Sequence, residues 1–85
     1  MPEITIYTTP LCPYCQMAKG LLRKKNAAFT EIDVSGDPAL RQTMTARANG
    51  RRTVPQIFIG NTHVGGCDDL HALDAAGRLD PLLAS

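Results

Sequence analysis

Apolar and polar positions alternate along Glu3-Ile4-Thr5-Ile6-Tyr7, with Ile4 and Ile6 set against Thr5 and Tyr7. A period of two predicts a first strand. The period then changes. Tyr14, Met17, Ala18, Leu21 and Leu22 recur at helical spacing and predict one apolar stripe on a helix. Lys24 and Lys25 suit the negative end of that helix dipole, and Asn26 suits its end. Gly20 inside it costs about 1 kcal/mol relative to alanine, which close packing against a sheet would offset.

Phe29, Thr30, Ile32 and Val34 predict a second strand. Ser35-Gly36-Asp37-Pro38 is turn chemistry, with Asp37 as a helix cap and Pro38 at the first helical position. A helix to about Ala48 follows, carrying Leu40 and Met44, and Gly50 is its stop. Strand, helix and strand in succession imply a parallel pair with a right-handed crossover. Val54 to Ile59 is the strongest strand signal, Gly60-Asn61 a hairpin turn, and Thr62-His63-Val64 the antiparallel return. Asp68 or Asp69 opens a helix through about Ala76, with Leu70 and Leu73 inward. Asp80-Pro81 opens a last helical turn carrying Leu82 and Leu83. This order predicts an α/β fold, a mixed four-stranded sheet with helices on both faces.

Composition narrows the function classes. At 85 residues, residues 1–85 are expected to form one domain, near the lower limit for a core without staples. A net charge of +1 and no Trp give no reason to expect a nucleic-acid partner. No apolar run approaches the roughly 20 residues of a membrane span, and polar residues interrupt the N-terminus at once, so neither membrane nor signal peptide is expected. Three cysteines, an odd count, do not suggest a secreted disulfide framework, which makes the cytoplasm the expected compartment.

Candidate chemistry gathers at Cys12-Pro13-Tyr14-Cys15, where the first strand gives way to the first helix. Backbone N–H groups at a helix start lack partners, and the dipole favours negative charge there. A thiol so placed gives up its proton more readily than a free cysteine. Pro13 fits the first helical position, and Cys15, three residues after Cys12, shares its face. Cys12 is therefore the expected nucleophile and Cys15 the more shielded partner. A zinc site is the competing reading. Zinc wants four ligands, and the remaining candidates are Cys67, His63 and His71. Cys67 and His71 are four apart and could share a helix face. Strand-then-helix context and the proline favour redox chemistry, with zinc still open.

Cys12-Pro13-Tyr14-Cys15, Thr53-Val54-Pro55-Gln56-Ile57-Phe58-Ile59 and Gly65-Gly66-Cys67-Asp68-Asp69-Leu70 together resemble a dithiol glutaredoxin of the small bacterial type. The resemblance runs from about Ile4 to Leu83. It implies the thioredoxin fold and a glutathione-dependent thiol–disulfide oxidoreductase using Cys12 and Cys15. Glutathione is then the reductant and co-substrate, with no metal. Implied partners are glutathionylated or disulfide-containing proteins and, indirectly, glutathione reductase, and the chain is expected to be a monomer. Glutathione would be held by Tyr14, Thr53, Val54, Pro55, Gly66, Cys67, Asp68 and Asp69. Pro55 is expected in the cis form, turning the Val54 backbone towards the cysteinyl unit of the ligand. The γ-glutamyl carboxylate would take N–H groups near Cys67 and Asp68, and its ammonium an aspartate, with Asp69 the better match. Helix capping is the plainer role for both aspartates. Arg41 and Arg52 could meet the glycine carboxylate, although solvation is the commoner fate of arginine.

In one place the chain departs from the family pattern. Thr9 stands where a basic residue usually precedes the first cysteine, which leaves the helix dipole more of the work. Cys67 reads most simply as a small residue at a crowded helix start, with glutathionylation as the alternative. His63 is expected at a strand edge and His71 on a helix surface. A second functional class, an iron–sulfur cluster held by Cys12 and glutathione between two subunits, is disfavoured by Pro13 and the second cysteine.

Overall fold

A computed structural model describes residues 2–85. Its elements are β1 (Ile4–Thr8), α1 (Pro13–Lys24), β2 (Thr30–Asp33), α2 (Pro38–Arg47), β3 (Gln56–Ile59), β4 (Thr62–Gly65), α3 (Cys67–Ala75) and α4 (Leu79–Ala84). The sheet order is β2-β1-β3-β4. β1 runs parallel to β2, with Thr5 opposite Thr30, and antiparallel to β3, with Ile6 opposite Ile57. β4 returns antiparallel to β3, and the register shifts between Ile57 and Phe58. This mixed sheet with helices on both faces is the thioredoxin fold.

The two faces carry separate cores. Ile4, Ile6, Ile57 and Ile59 pack with Ala18, Leu22, Leu70, Leu79 and Leu83 from α1, α3 and α4. Tyr7 and Phe58 pack on the opposite side with Val34, Met44 and Ala48. Because both faces are covered, all of β1 is buried, Thr5 and Thr8 included. Alternation in that strand thus sorts residues between two cores rather than between core and water.

Several expectations need correction. Met17 and Tyr14 do not join the apolar stripe of α1; both are exposed, and the inward face is Cys15, Ala18, Lys19, Leu21 and Leu22. Gly20 is not a packing glycine, since a Cβ there would meet nothing within 4 Å. α3 begins at Cys67, before either aspartate. α4 begins at Leu79, a wholly buried side chain ahead of Asp80-Pro81. Lys25, just past α1, bridges Asp74 at 2.7 Å and Asp80 at 2.9 Å, tying the far end of α1 to α3 and α4. Caps follow the sequence more closely. Asp37 accepts the Leu40 N–H at 3.0 Å, with Pro38 at the first helical position.

Candidate active site

β1 delivers the chain to a short loop, and Cys12 becomes the N-cap of α1, with Pro13 directly after it. The Sγ of Cys12 accepts the Cys15 N–H at 3.2 Å and lies 3.8 Å from the Val54 carbonyl, to which the thiol donates. Cys12 is partly exposed, while Cys15 is fully buried. Burial above all, then the hydrogen bond with Cys12, pushes the Cys15 thiol up to about 12, against opposing pulls from the Thr9 backbone and the Lys19 charge. Lys19 is itself buried and pairs with Glu31 at 2.9 Å. Glu31 also accepts the Thr8 hydroxyl at 2.7 Å, and these two donors hold its carboxyl below the usual range.

Opposite Cys12 lies the segment before β3, where the Val54–Pro55 bond is cis. Beyond it the β4–α3 junction turns through Gly65, whose φ is +115°. Gly66 is the N-cap of α3 and has no side chain to offer. The Asp69 carboxylate instead reaches back to the Gly66 N–H at 2.8 Å. The same oxygen takes Arg51 at 2.9 Å. The Gly66 N–H first, and Arg51 second, hold the Asp69 carboxyl below its ordinary value.

These parts enclose a cleft of about 150 Å³ lined by Tyr14, Thr53, Val54, Pro55, Gly66, Cys67, Asp68 and Asp69, with Arg51 as a further wall. All eight residues assigned to glutathione from the sequence thus share one cleft. The sequence pattern did not single out Arg51. Its only signal was position, one residue after the left-handed Gly50 and directly before Arg52. Arg41 and Arg52 sit elsewhere, in a larger open groove of about 610 Å³ along α2. Arg41 there donates to the Arg52 carbonyl at 3.0 Å. That groove holds no cysteine, so size does not decide which opening serves the sulfurs.

Cys67 is buried, with Sγ 3.4 Å from His71 Nδ1, an atom that is also 2.9 Å from the Cys67 carbonyl oxygen. Burial first, then the charges of Asp68 and Cys12, pushes the Cys67 thiol up. Among the described residues no three His, Cys, Asp or Glu side chains converge as a metal site would require. No helix among them is long and apolar enough to cross a membrane.

A Cys-x-x-Cys pair at the start of the first helix of a thioredoxin fold is the arrangement of a thioredoxin-like redox motif. Residues 4–64 match the family model described as Glutaredoxin. A glutaredoxin of Pseudomonas aeruginosa is 59% identical over 85 residues, covering 100% of both chains. Glutaredoxin 3 of Escherichia coli is 55% identical over 83 residues, covering 98% of this chain and 99% of its own. The solution structure of a Brucella melitensis glutaredoxin superposes with a TM-score of 0.86 at 59% identity, over 98% of this chain and 89% of that one. A buckwheat glutaredoxin–glutathione complex gives a TM-score of 0.88 at 29% identity, over 98% and 77%. The chain belongs to the glutaredoxin family.

Proposed function

We propose that this chain is a glutathione-dependent disulfide oxidoreductase that reduces protein disulfides and mixed disulfides of glutathione. The unlike settings of its two sulfurs carry the reading. Cys12 is partly exposed and receives a backbone N–H, whereas Cys15 is buried and pushed up to about 12. The attacking group in thiol–disulfide exchange is a thiolate, so Cys12 attacks and Cys15 waits as a thiol.

On a glutathionylated substrate, Cys12 attacks the glutathione sulfur. The substrate leaves as its thiolate and Cys12 holds glutathione in a mixed disulfide. A second glutathione thiolate then attacks that glutathione sulfur, releasing glutathione disulfide and restoring the Cys12 thiolate. On a protein disulfide, Cys12 first forms a mixed disulfide with the substrate. Cys15 gives up its proton, attacks the Cys12 sulfur and expels the substrate thiolate. Two glutathione molecules reduce the Cys12–Cys15 disulfide. Glutathione reductase enters only by recycling the oxidised glutathione. No step calls on a metal.

In this reading the cleft holds glutathione through Tyr14, Thr53, Val54, Pro55, Gly66, Cys67, Asp68 and Asp69. The Val54 carbonyl, which takes the Cys12 thiol in the free protein, becomes available to the cysteinyl N–H. Unpaired N–H groups at the start of α3 suit the γ-glutamyl carboxylate. Asp69 already carries two donors on one oxygen, which leaves the other oxygen for the ammonium. Leu11, Tyr14 and Met17, the large exposed apolar side chains near Cys12, offer a contact surface for protein substrates. We place residues 1–85 as one glutaredoxin domain, acting as a monomer in the reducing cytoplasm.

Reduction of a glutathione mixed disulfide, coupled to glutathione reductase, tests this. Cys12→Ser should fall to the uncatalysed background. Cys15→Ser should keep this activity and lose most reduction of protein disulfides. A Cys12→Ser protein that still turns over would overturn the nucleophile assignment.

A further inference from the structure

Gln56 is fully buried at the start of β3, in a run otherwise made of Ile57, Phe58 and Ile59. Burying an amide is costly unless its groups are paired. Its Nε2 donates to the Thr53 carbonyl at 2.9 Å and to the Thr53 Oγ1 at 3.2 Å. Its Oε1 lies 2.8 Å from His63 Nε2, on the neighbouring strand β4.

The directions of these bonds are fixed by chemistry. A carbonyl only accepts, so the Gln56 nitrogen must face Thr53 and its oxygen must face His63. An amide oxygen only accepts, so the His63 Nε2 must carry hydrogen. His63 is held in place independently, its ring stacked on Phe58 with centroids 4.9 Å apart and planes 25° apart. Burial and the Arg51 charge pull its pKa below the ordinary imidazole value, against the opposing pull of Asp69. The ring is therefore neutral near pH 7, with its one hydrogen at Nε2. At the other end, the Thr53 oxygen is already accepting from Gln56. Its own hydroxyl hydrogen points away from Gln56. Thr53 is exposed and lines the cleft.

We propose that His63 and Gln56 are positioning residues: His63 fixes the Gln56 amide, and Gln56 holds Thr53 so that its hydroxyl presents a hydrogen to an acceptor oxygen of glutathione in the cleft. This rests on the cleft being the glutathione site. Neither Gln56 nor His63 lines the cleft itself. Their influence falls on glutathione recognition and not on the reactivity of Cys12.

The test measures glutathione saturation, turnover, melting temperature and the rate of Cys12 alkylation by iodoacetamide. Gln56→Met should raise the KM for glutathione about fivefold, the effect of one hydrogen bond, with kcat and Cys12 alkylation little changed. Introduced into Thr53→Val, the same Gln56→Met change should add little, because the hydroxyl it orients is gone. His63→Phe keeps the ring stacked on Phe58 and removes the donor, so it should also raise KM. His63→Gln restores an N–H donor and should recover most of the loss. The His63 pair carries the test should Gln56→Met fail to fold. Full multiplication of the Gln56 and Thr53 effects, or a lowered melting temperature with an unchanged KM, overturns the proposal. A wild-type protein that glutathione does not saturate overturns the cleft assignment itself, whereas wild-type saturation with variants matching it overturns the positioning role alone.

Discussion

Helices α1 and α3 start on the same cleft, each with a cysteine at its start, and they treat the sulfur in opposite ways. At α1 the cysteine is the N-cap itself, and no acidic residue lies in the first turn. Pro13 brings no N–H, and the Cys15 N–H goes to the Cys12 sulfur. At α3 the N-cap is Gly66, and Cys67 stands one position later, buried. Asp68 and Asp69 fill the first turn, and Asp69 takes the Gly66 N–H. A helix N-terminus supplies unpaired donors. What it does for a sulfur depends on whether the sulfur caps it and on which charges stand nearby. At α1 the sulfur receives a donor. At α3 a carboxylate receives it, and burial with Asp68 keeps Cys67 a thiol.

The largest way to break the contrast is Gly65→Ala. Gly65 has φ +115°, a conformation that L side chains rarely adopt. A Cβ there would also collide with Asp69 Oδ2 and lie 2.7 Å from Arg51 Nη1. The backbone alone should cost about 1–3 kcal/mol. In a domain of this size each kcal/mol lowers the melting temperature by roughly 4–8 °C. The α1 end is built separately, so Cys12 alkylation in the folded fraction should stay as in wild type. A melting temperature unmoved by Gly65→Ala would mean that the turn at residue 65 relaxes without strain and does not pin the α3 end.

Asp69 comes next, and its two roles can be separated. Asp69→Ala removes the cap, the Arg51 pair and the proposed ammonium partner together. Because the Asp69 side chain is 45% exposed, the lost ligand contact is discounted to about 1 kcal/mol, or roughly a fivefold rise in the KM for glutathione. Asp69→Asn keeps an acceptor for the Gly66 N–H and loses only the charge. The folded carboxyl titrates below its unfolded value, so its charge contributes stability above the unfolded pKa and loses it as pH falls through the folded one. Wild type should therefore melt above Asp69→Asn near neutral pH, and the gap should close as pH falls below about 4. A gap independent of pH would mean that the charge plays no part in holding α3. A melting-temperature loss in Asp69→Ala with an unchanged saturation curve would leave Asp69 as a cap only.

Much of this architecture was legible in the chain. Period-two and helical spacing located the strands and helices, and Asp37-Pro38 and Cys12-Pro13 marked helix starts through chemistry confined to neighbouring residues. Burial was less legible. Met17 fits the apolar spacing of α1, but the helix is rotated so that Cys15 and Lys19 face inward instead. Lys19 reads as a surface lysine until Glu31, from another element, is placed beside it. Arg51 and Gln56 were missed for the same reason. The ion pair to Asp69 joins residues 18 apart, the hydrogen bond to His63 crosses from one strand to its neighbour, and no periodicity records either.

The smallest expected effect sharpens the contrast most directly, because it asks which force keeps Cys67 inert. Burial is the larger cause and the Asp68 charge the next. Asp68→Asn removes a like charge without changing shape, so it favours the thiolate and should lower the Cys67 pKa. Asp68 is exposed, and screening should keep the shift small. Below the pKa the thiolate fraction rises tenfold per unit, while intrinsic nucleophilicity falls with a Brønsted coefficient of about 0.4–0.5. That gain in thiolate outweighs the loss of nucleophilicity, so the alkylation rate should rise, by roughly twofold. N-ethylmaleimide reacted with Cys67 in a Cys12→Ser, Cys15→Ser background measures this without interference from the other thiols. The gain should be greatest at low ionic strength and shrink as salt is added, since an exposed charge acts through screened solvent. A salt-independent gain would mean that Asp68→Asn had loosened the helix start and exposed the sulfur. No gain at any salt would leave burial alone as the difference between the two helix starts.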